Sequence, residues 1–475
     1  MKIIASVITF LFVIDVFALT QQAFIKKVLS QDTHFEKDKI YVAIKQIELE
    51  TSKSSYADWD SELSASLSNS YYDINKDTTS TSIYEKQRYK NSQSIELSTE
   101  KKFLSNPSVL TLSLKRSTPD ADITRYKQDV LYTGSNAQYS LTTFDNTYTV
   151  NYKYPLLKHD SNATSLKSYR RNILDLDREK LDFDDAQEAF LVDRLEQFID
   201  WYFYQKNAEI YQQYQQSLEA IKGKTNKDKA KISTAILRAN QDILTNNSKL
   251  QALKKSLVTA LNDTSLWSEK PKVSINKQPK IMPDLAQYLR RNVRTLLKVD
   301  IDKCLKKIDL DYYKNQSLFK LDFNIGAEKN HNKGNTMTTH YDNESVLYTT
   351  SLDFSAPIGV DVNNQKDIAV AKLTRQKLDI DYNNKLKDIL ADAQALLVEL
   401  DLGLKTLNQY EGLLLSVKNN TNSALENYLN QSITIQALIE AYREKRDIKL
   451  DYIEAFTGYQ NSLLEYNDAL DRVLY

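Results

Sequence analysis

The stretch YTVNYKYP, residues 148–155, decides the fold, and TSLDFSAP, residues 350–357, repeats it later in the chain. In both stretches the alternate positions are mainly apolar or aromatic, which is typical of a strand with one apolar face. Each stretch ends at a proline, Pro155 or Pro357, that has no N–H to donate to a neighbouring strand. Beyond each proline the apolar spacing changes to three and four residues, as on a helix. The sequence therefore predicts, twice, a strand that leads into a long helix.

These two stretches belong to a longer internal repeat. REKLDFD at 178–184 matches RQKLDID at 375–381, and IKQIELE at 44–50 matches LKKIDLD at 305–311. Similarity at corresponding places in both halves is the sequence signature of a repeated structural unit. The predicted unit is helix, strand, loop, strand, long helix and helix, and it occurs twice.

The N-terminus has the pattern of a secretory signal. Lys2 precedes an apolar run from Ile3 to Ile14, and Ala18 ends a sequence that suits signal peptidase. A run of about a dozen residues is short for a membrane-spanning helix, which needs about 20. We therefore expect residues 1–18 to be a signal peptide and the mature protein to be exported.

The remaining boundaries follow from the same patterns. The predicted segments are a first repeat at 19–261 with strands at about 61–75 and 139–155, a proline-bearing linker at 262–283, and a second repeat at 284–475 with strands at about 317–328 and 345–357 and a helical hairpin at 359–475. Residues 76–136 contain two short alternating runs, divided by Asn106-Pro107. They predict a surface loop with an extra hairpin.

At these junctions the sequence resembles the TolC-like outer-membrane efflux proteins. The resemblance covers the mature chain and rests on residues 150–164, on residues 351–373 and on YLNQSITIQALIEA at 428–441. It implies a mixed α and β fold, in which long helical hairpins form a periplasmic tunnel. Four membrane strands per chain would close, in a homotrimer, into a twelve-stranded β-barrel in outer-membrane lipid. The implied role is a passive exit duct for efflux or type I secretion, with a periplasmic adaptor protein and an inner-membrane transporter as partners.

The composition agrees with long helices and with membrane strands. The 475 residues include only 8 Gly and 7 Pro, far below the average usage of roughly 7% and 5%. Lys+Arg and Asp+Glu balance at 63 each, so no net field attracts nucleic acid. No later stretch approaches 18 consecutive apolar residues, so a membrane would have to be crossed by strands. An open sheet leaves backbone groups unpaired in lipid, which favours closure with further copies of the chain.

KGKTNKDK, residues 222–229, interrupts the first long helix and predicts the tip of a helical hairpin. The GKT within it is similar to the end of a phosphate-binding loop. That loop requires a glycine where Leu218 stands, and no strand precedes it, so nucleotide binding is disfavoured. We interpret Lys224, Lys227 and Lys229 as candidate contacts for an acidic adaptor. A solvated basic turn is the alternative.

The second hairpin has its predicted tip at Asn430, Gln431 and Ser432, which are also candidate adaptor contacts. The resemblance implies a glycine at the position of Gln431. It further implies a pore constriction formed by two acidic residues, and the matching positions are Ala437 and Glu440. Only Glu440 keeps the charge. Three copies around an axis would form an acidic ring that favours cations, whereas an ordinary surface glutamate is the alternative.

No catalytic group, cofactor or metal site is expected. The histidines are spread along the sequence without ligand spacing, at positions 34, 159, 331 and 340. Cys304 lies among Ile301, Leu305 and Ile308, which predicts a small core residue rather than a reactive thiol. The rival interpretation is a secreted helical coiled-coil protein with a structural or adhesive role. The predicted strands argue against it, because a coiled-coil rod does not require strands. The sequence does not distinguish drug efflux from protein secretion.

Overall fold

The computed structural model describes residues 18–31, 35–70, 74–78, 83–103, 106–127, 137–158, 166–274, 284–335, 340–356 and 361–474. Pro357, and all of the expected signal peptide except Ala18, lie outside the described residues. The first part of the predicted linker, up to residue 274, lies within them.

The described helices include two of unusual length. The helices are α1 Gln21–Gln31, α2 Glu36–Ala57, α3 Lys167–Glu219, α4 Asn226–Leu261, α5 Leu285–Asn292, α6 Arg294–Gln316, α7 Val362–Leu429 and α8 Ile435–Ala469. Helices α3 and α7 have 53 and 68 residues, compared with about 10–14 in an average globular protein. Helix α3 begins at Lys167, and the break after it falls between Glu219 and Asn226.

Most of the strands form one antiparallel sheet. The strands are β1 Ala18–Thr20, β2 Asp60–Ser70, β3 Ile74–Thr78, β4 Ile83–Lys102, β5 Val109–Lys127, β6 Ala137–Pro155, β7 Lys270–Lys272, β8 Lys320–Asn335 and β9 His340–Ser355. Along the hydrogen-bonded path the order is β2-β4-β5-β6-β8-β9, and β3 also pairs with β4. Strand β6 of the first repeat therefore pairs with β8 of the second.

The segment 76–136 differs from the short hairpin in a loop that its sequence predicts. Strands β4 and β5 have 20 and 19 residues and lie inside the sheet, between β2 and β6. Their pairing continues well beyond the apolar runs. Backbone hydrogen bonds can extend a strand wherever its N–H and C=O groups find partners. Hydrophobic alternation therefore underestimated the length of both strands.

The chain divides into two compact units. One, Ala43–Asp177 with Ile301–Asp379, contains the sheet, and the other comprises Met1–Val42, Arg178–Asp300 and Ile380–Tyr475. In the sheet-bearing unit, Cys304 is exposed while its neighbour Leu305 is buried. Successive residues of a helix lie about 100° apart around its axis. The assignment of Cys304 to the core is therefore wrong.

The core of the other unit is aromatic and aliphatic. The ring of Phe24 stacks on Phe198 with 4.7 Å between centroids, and Phe198 meets the edge of Trp201 at 6.0 Å. All three side chains are buried. Burying such a side chain contributes about 1.5–3 kcal/mol relative to leaving it exposed. This packing fixes α1 against α3.

The first part of the predicted linker is ordered against the N-terminal segment. Strand β7 pairs in parallel with β1. Lys27 Nζ lies 2.9 Å from Asp263 Oδ2 and 2.9 Å from Glu269 Oε1. Burial alone would lower the pKa of Lys27, but these two carboxylates raise it above its ordinary value. The ion pairs thus attach α1 to the segment that follows α4.

A buried ionic network joins α3, α6 and the C-terminal residues. The side chain of Arg294 is 5% exposed, and its guanidinium pairs with Asp185, Glu188 and Asp471. Lys298, one turn later on α6, also contacts Asp185. Buried ions need such partners, because the cost of removing them from water is several kcal/mol per ion. The network fixes where α6 starts relative to α3.

No helix among the described residues carries an apolar stretch long enough to cross a lipid bilayer.

Candidate functional site at the hairpin tips

The first tip is built by a glycine and a helix cap. A Cβ on Gly223 would lie 3.0 Å from both the Cγ and the backbone N of Lys229, so a larger residue would require Lys229 to shift by a few tenths of an ångström. Thr225 Oγ1 accepts from Asp228 N at 3.1 Å, and Asp228 Oδ2 accepts from Thr225 N at 3.2 Å. This reciprocal pair is a capping box at the start of α4.

The GKT sequence is therefore a tip turn followed by the N-cap of α4. The spacing that forms the cap, a threonine with an acidic residue three positions later, is visible in the sequence. The similarity to a phosphate-binding loop hid this signal. Thr225 and Asp228 satisfy two backbone groups that any helix start leaves unpaired.

The second tip is a Schellman motif at the end of α7. Ser432 N donates to Asn427 O at 2.8 Å, and Gln431 N donates to Tyr428 O at 3.1 Å. Gln431 has a φ of 65°, in the left-handed region that favours glycine. The turn geometry that glycine usually serves is thus formed here with a glutamine.

Lys224 joins the two tips. Its Nζ donates to the carbonyl oxygens of Tyr428 and Leu429, each at 3.0 Å, and lies 5.0 Å from the centroid of the Tyr428 ring. The last carbonyls of a helix have no partner within the helix, and the negative end of the helix dipole attracts a cation there. The structure gives Lys224 an internal role that sequence reasoning missed. Lys227 and Lys229 are exposed on the same tip.

A small apolar core supports both tips. Tyr214 and Leu218 from α3 and Ile232 from α4 pack with Tyr428 and Leu438 from the second hairpin, and all five are buried. These residues hold the tips together by burial of apolar surface. The Lys224 contacts then set the orientation of one tip on the other.

The predicted constriction residues lie on the first turns of α8. Thr434 is the N-cap of α8, and its Oγ1 accepts from the backbone N of Ala437 at 3.3 Å. Ala437 and Glu440 are both exposed. Glu440 Oε2 lies 3.3 Å from Arg443 Nη1, three residues later on the same helix. The carboxylate therefore carries its own counter-charge.

Glu440 borders a groove between α4 and α8. The groove has a volume of about 470 Å³, and its charged lining residues are Glu440, Lys227, Lys231, Arg238, Arg443 and Arg446. Arg446 is held by Asp242 at 3.3 Å and by Asp447 at 2.7 Å, and its guanidinium lies over Tyr214. The surroundings of Glu440 are therefore basic.

A further lysine lies deeper along α8. Lys449 Nζ donates to Gln213 Oε1 at 2.8 Å. Burial lowers the pKa of Lys449, and the nearby charge of Lys445 lowers it further. Desolvation and like charge both disfavour the protonated amine.

The two predicted strand-to-helix junctions are described unequally, because Pro357 lies outside the described residues. Pro155 is the last residue of β6, opposite Asp322 of β8. Backbone pairing continues beyond it, since Leu156 N donates to Leu321 O at 2.7 Å. Within the described part of the chain, no three His, Cys, Asp or Glu residues are grouped so as to hold a metal ion.

Sequence comparison finds no matching protein family and no similar curated protein. Structural comparison does find relatives of the fold. The structure of CusC has a TM-score of 0.59 and 12% identity, covering 95% of this chain and 91% of that one. The outer-membrane channel CmeC of Campylobacter jejuni has a TM-score of 0.58 and 12% identity, covering 95% and 85%. The outer-membrane protein VceC of Vibrio cholerae has 0.58 and 11%, covering 96% and 95%.

This chain has the TolC-like fold. The match spans nearly the whole chain, so the sheet and both helical hairpins belong to it. In this TolC-like fold the two tips described above are the ends of the hairpins that follow Pro155 and the 357–360 segment.

Proposed function

We propose that this protein is an outer-membrane exit duct, active as a homotrimer. It would pass small molecules or secreted protein from an inner-membrane transporter, through a periplasmic adaptor, to the exterior. Residues 1–18 would direct its export. The observation that carries the proposal is the sheet, which has an exposed apolar face on strands long enough to cross a membrane.

The apolar face of the sheet has the chemistry of a lipid contact. Leu63, Leu67, Tyr348 and Phe354 are between 64% and 80% exposed. So much exposed apolar surface marks an interaction or membrane surface. Strands β4, β5, β6, β8 and β9 have 16 to 20 residues, and a tilted membrane strand needs about 9–11.

The helices support self-association. Exposed apolar residues recur along α7, among them Val370, Leu373, Val398 and Leu402, and Leu244 is exposed on α4. Water contact with these side chains would be unfavourable in a lone chain. Second and third copies of the chain would cover them and line a periplasmic duct.

The hairpin tips are the proposed partner end. The adaptor would contact Lys224, Lys227 and Lys229 of the first tip and Asn430, Gln431 and Ser432 of the second. Ala437 and Glu440 would line the constriction, with Glu440 supplying an acidic ring. Opening would be driven by the partner, since the duct itself performs no chemistry.

The test uses mature protein extracted with detergent from outer membranes, its stoichiometry from light scattering and its ion selectivity from planar bilayers. Glu440→Gln should lower the ratio of cation to anion permeability by a factor of about 2–5, the effect of one unit charge a few ångström from the ion path in water. Arg443→Gln should raise it, because it removes the counter-charge 3.3 Å from Glu440.

A trimer with unchanged selectivity in both variants would keep the duct and reject the constriction residues. A soluble protein absent from the membrane fraction would reject the duct and favour a secreted coiled-coil protein.

A further inference from the structure

We propose that the assembled pore has an eighteen-stranded wall, to which each chain contributes six strands, and that the lumen of this barrel admits bulkier solutes than a twelve-stranded barrel would. The inference rests on the proposed function. Strands β4 and β5 lie between β2 and β6 on one continuous antiparallel path. They are therefore part of the wall itself. If each repeat contributed only two strands, β2 and β6 would be neighbours, whereas here β4 and β5 separate them.

The pairing register aligns a row of directly paired residues across the sheet. The residue in this row is apolar on five of the six strands, and β8 is the exception. Leu63 of β2 is opposite Leu97 of β4, which is opposite Leu114 of β5. Leu114 is opposite Tyr148 of β6. The row continues through Lys329 of β8 to Val346 of β9. Directly paired residues share a face of a sheet.

Every apolar side chain in this row is exposed, from 42% at Leu114 to 71% at Leu63. Strands β4 and β5 thus present the same kind of surface as the strands around them. In a hairpin that lay outside the wall in water, apolar side chains aligned with the lipid-facing row would bring no gain from burial. The apolar face gains about 25 cal/mol for each Å² removed from water.

The opposite face is polar along the same path. Glu62, Ser98, Ser113, Thr149 and Glu328 are paired in sequence from β2 to β8. The row reaches an apolar residue only at Leu347 of β9. Alternate residues of a strand point to opposite faces. A wall with one apolar and one polar face separates lipid from a water-filled lumen.

Strands β4 and β5 also cross the full height of the sheet. Their pairing runs from Lys102–Val109, beside Lys153 of β6, to Ile83–Lys127 at the other end. At the Lys102–Val109 end the chain reverses at Asn106-Pro107, where Asn106 Oδ1 accepts from Ser108 N at 3.1 Å. An asparagine side chain that bonds two residues ahead is a standard turn device.

The two end strands of the described sheet, β2 and β9, each have one edge without a partner strand in it. Closure with two further copies pairs β2 of one chain with β9 of the next and removes both sheet edges from lipid. Barrel diameter grows roughly linearly with strand number, so eighteen strands give a diameter about 1.5 times that of twelve. The cross-section rises about 2.3-fold. The lumen of such a barrel accommodates large hydrated solutes or polypeptide, whereas the proposed constriction at Ala437 and Glu440 limits what reaches it.

A spin-label experiment tests the wall without altering it grossly. In a Cys304→Ser background, a nitroxide at Leu97→Cys should be relaxed severalfold more by oxygen than by a water-soluble nickel chelate. The matched control, Ser98→Cys, should show the reverse, because it points to the lumen. Water exposure at both positions would overturn the proposal.

A deletion tests the pore width. Replacing residues 79–136 with the dipeptide Asn-Gly joins β3 to β6 through a tight turn. The remaining strands stay antiparallel, because two strands are removed together. Polymers added at the outer side should then enter the lumen only up to about two-thirds of the radius that the unaltered protein admits. An unchanged limit would overturn the proposal.

Electron cryomicroscopy of the unaltered trimer, by counting strands, decides the matter if the deletion variant does not fold. Eighteen strands are expected. A trimer with twelve strands would overturn the wider wall and leave the duct intact. Protein absent from the membrane fraction would overturn both.

Discussion

Gln431 is the residue at which the sequence and the turn disagree most. Its φ of 65° costs an L residue about 1–2 kcal/mol relative to a right-handed conformation. The two backbone hydrogen bonds of the Schellman motif and the Lys224 contacts hold it there. The turn is therefore maintained by its surroundings rather than by the residue at its centre.

Gln431→Gly should stabilise the second tip. Relief of the left-handed strain outweighs the extra entropy of glycine in the unfolded chain, for a net gain of about 0.5–1 kcal/mol. Amide hydrogen exchange of residues 424–432 should slow. Asn430→Gly is the matched control, because Asn430 is not among the positive-φ residues, and it should accelerate exchange. Faster exchange in Gln431→Gly would contradict this account.

At the scale of elements, one side chain connects two hairpins. Lys224 follows α3 and donates to the carbonyls at the end of α7, so the first tip adds a charged donor to the Schellman motif there. The capping box of α4 and the N-cap of α8 fix the helices on either side. The end of α7 thus combines its own Schellman hydrogen bonds with a donor from the other hairpin.

Lys224→Met should loosen the α7 end while leaving the core intact. Loss of two hydrogen bonds and of the charge at the helix terminus amounts to about 1–2 kcal/mol. Exchange of the amides near Tyr428 should accelerate by a factor of about 5–30. Lys227→Met, whose side chain lines the groove instead, is the control and should leave exchange there unchanged. Equal effects of both substitutions would refute the capping role.

For the molecule as a whole, the Arg294 network makes stability depend on pH. Burial raises the pKa of Glu188 and of Asp471, although Arg294 opposes both shifts. Burial also raises the pKa of Asp468, and the charge of Asp471 adds to it. Burial would lower the pKa of Arg294 itself, but its bonds to Glu188 and Asp185 and the charge of Asp471 together raise it.

A raised carboxyl pKa means that the folded protein binds the proton more tightly than the unfolded chain does. Protonation of these groups therefore raises the free energy of unfolding as the pH falls from above the folded-state pKa towards the unfolded-state pKa. At neutral pH, where the groups are charged, they lower the free energy of unfolding. Asp309 behaves oppositely. Burial would raise its pKa, but Lys306, Arg171 and Lys167 hold it below its ordinary value, so its contribution is lost in strong acid.

Arg294→Met should destabilise the protein by about 3–5 kcal/mol near neutral pH, since it leaves buried carboxylates without their counter-ion. The loss should shrink at mildly acidic pH, because carboxyls with raised pKa take up protons as the pH falls. Thermal unfolding in detergent at the two pH values measures this. The exposed Arg290 provides the control, as Arg290→Met. An identical loss at both pH values would show that packing, not charge, is responsible.

The spacing of apolar residues and the positions of proline and turn residues in the sequence determined which segments are strands and which are helices. The alternation ending at Pro155, the long helix periods and the lysine-rich turn at 222–229 are local signals, because strand and helix spacing depend on neighbouring residues alone. The tip at Asn430, Gln431 and Ser432 was predictable for the same reason. The capping box at Thr225 was also present in the sequence.

Only the tertiary structure decided which elements meet. The position of β4 and β5 between β2 and β6, the pairing of β1 with β7, and the contact of Lys224 with Tyr428 join distant parts of the chain. The Arg294 network likewise unites α3, α6 and the C-terminal residues. Hydrophobic periodicity tells which face of an element is apolar, but not which partner covers it. Partner choice depends on register, packing and desolvation summed over the folded chain, and these exist only once it has folded.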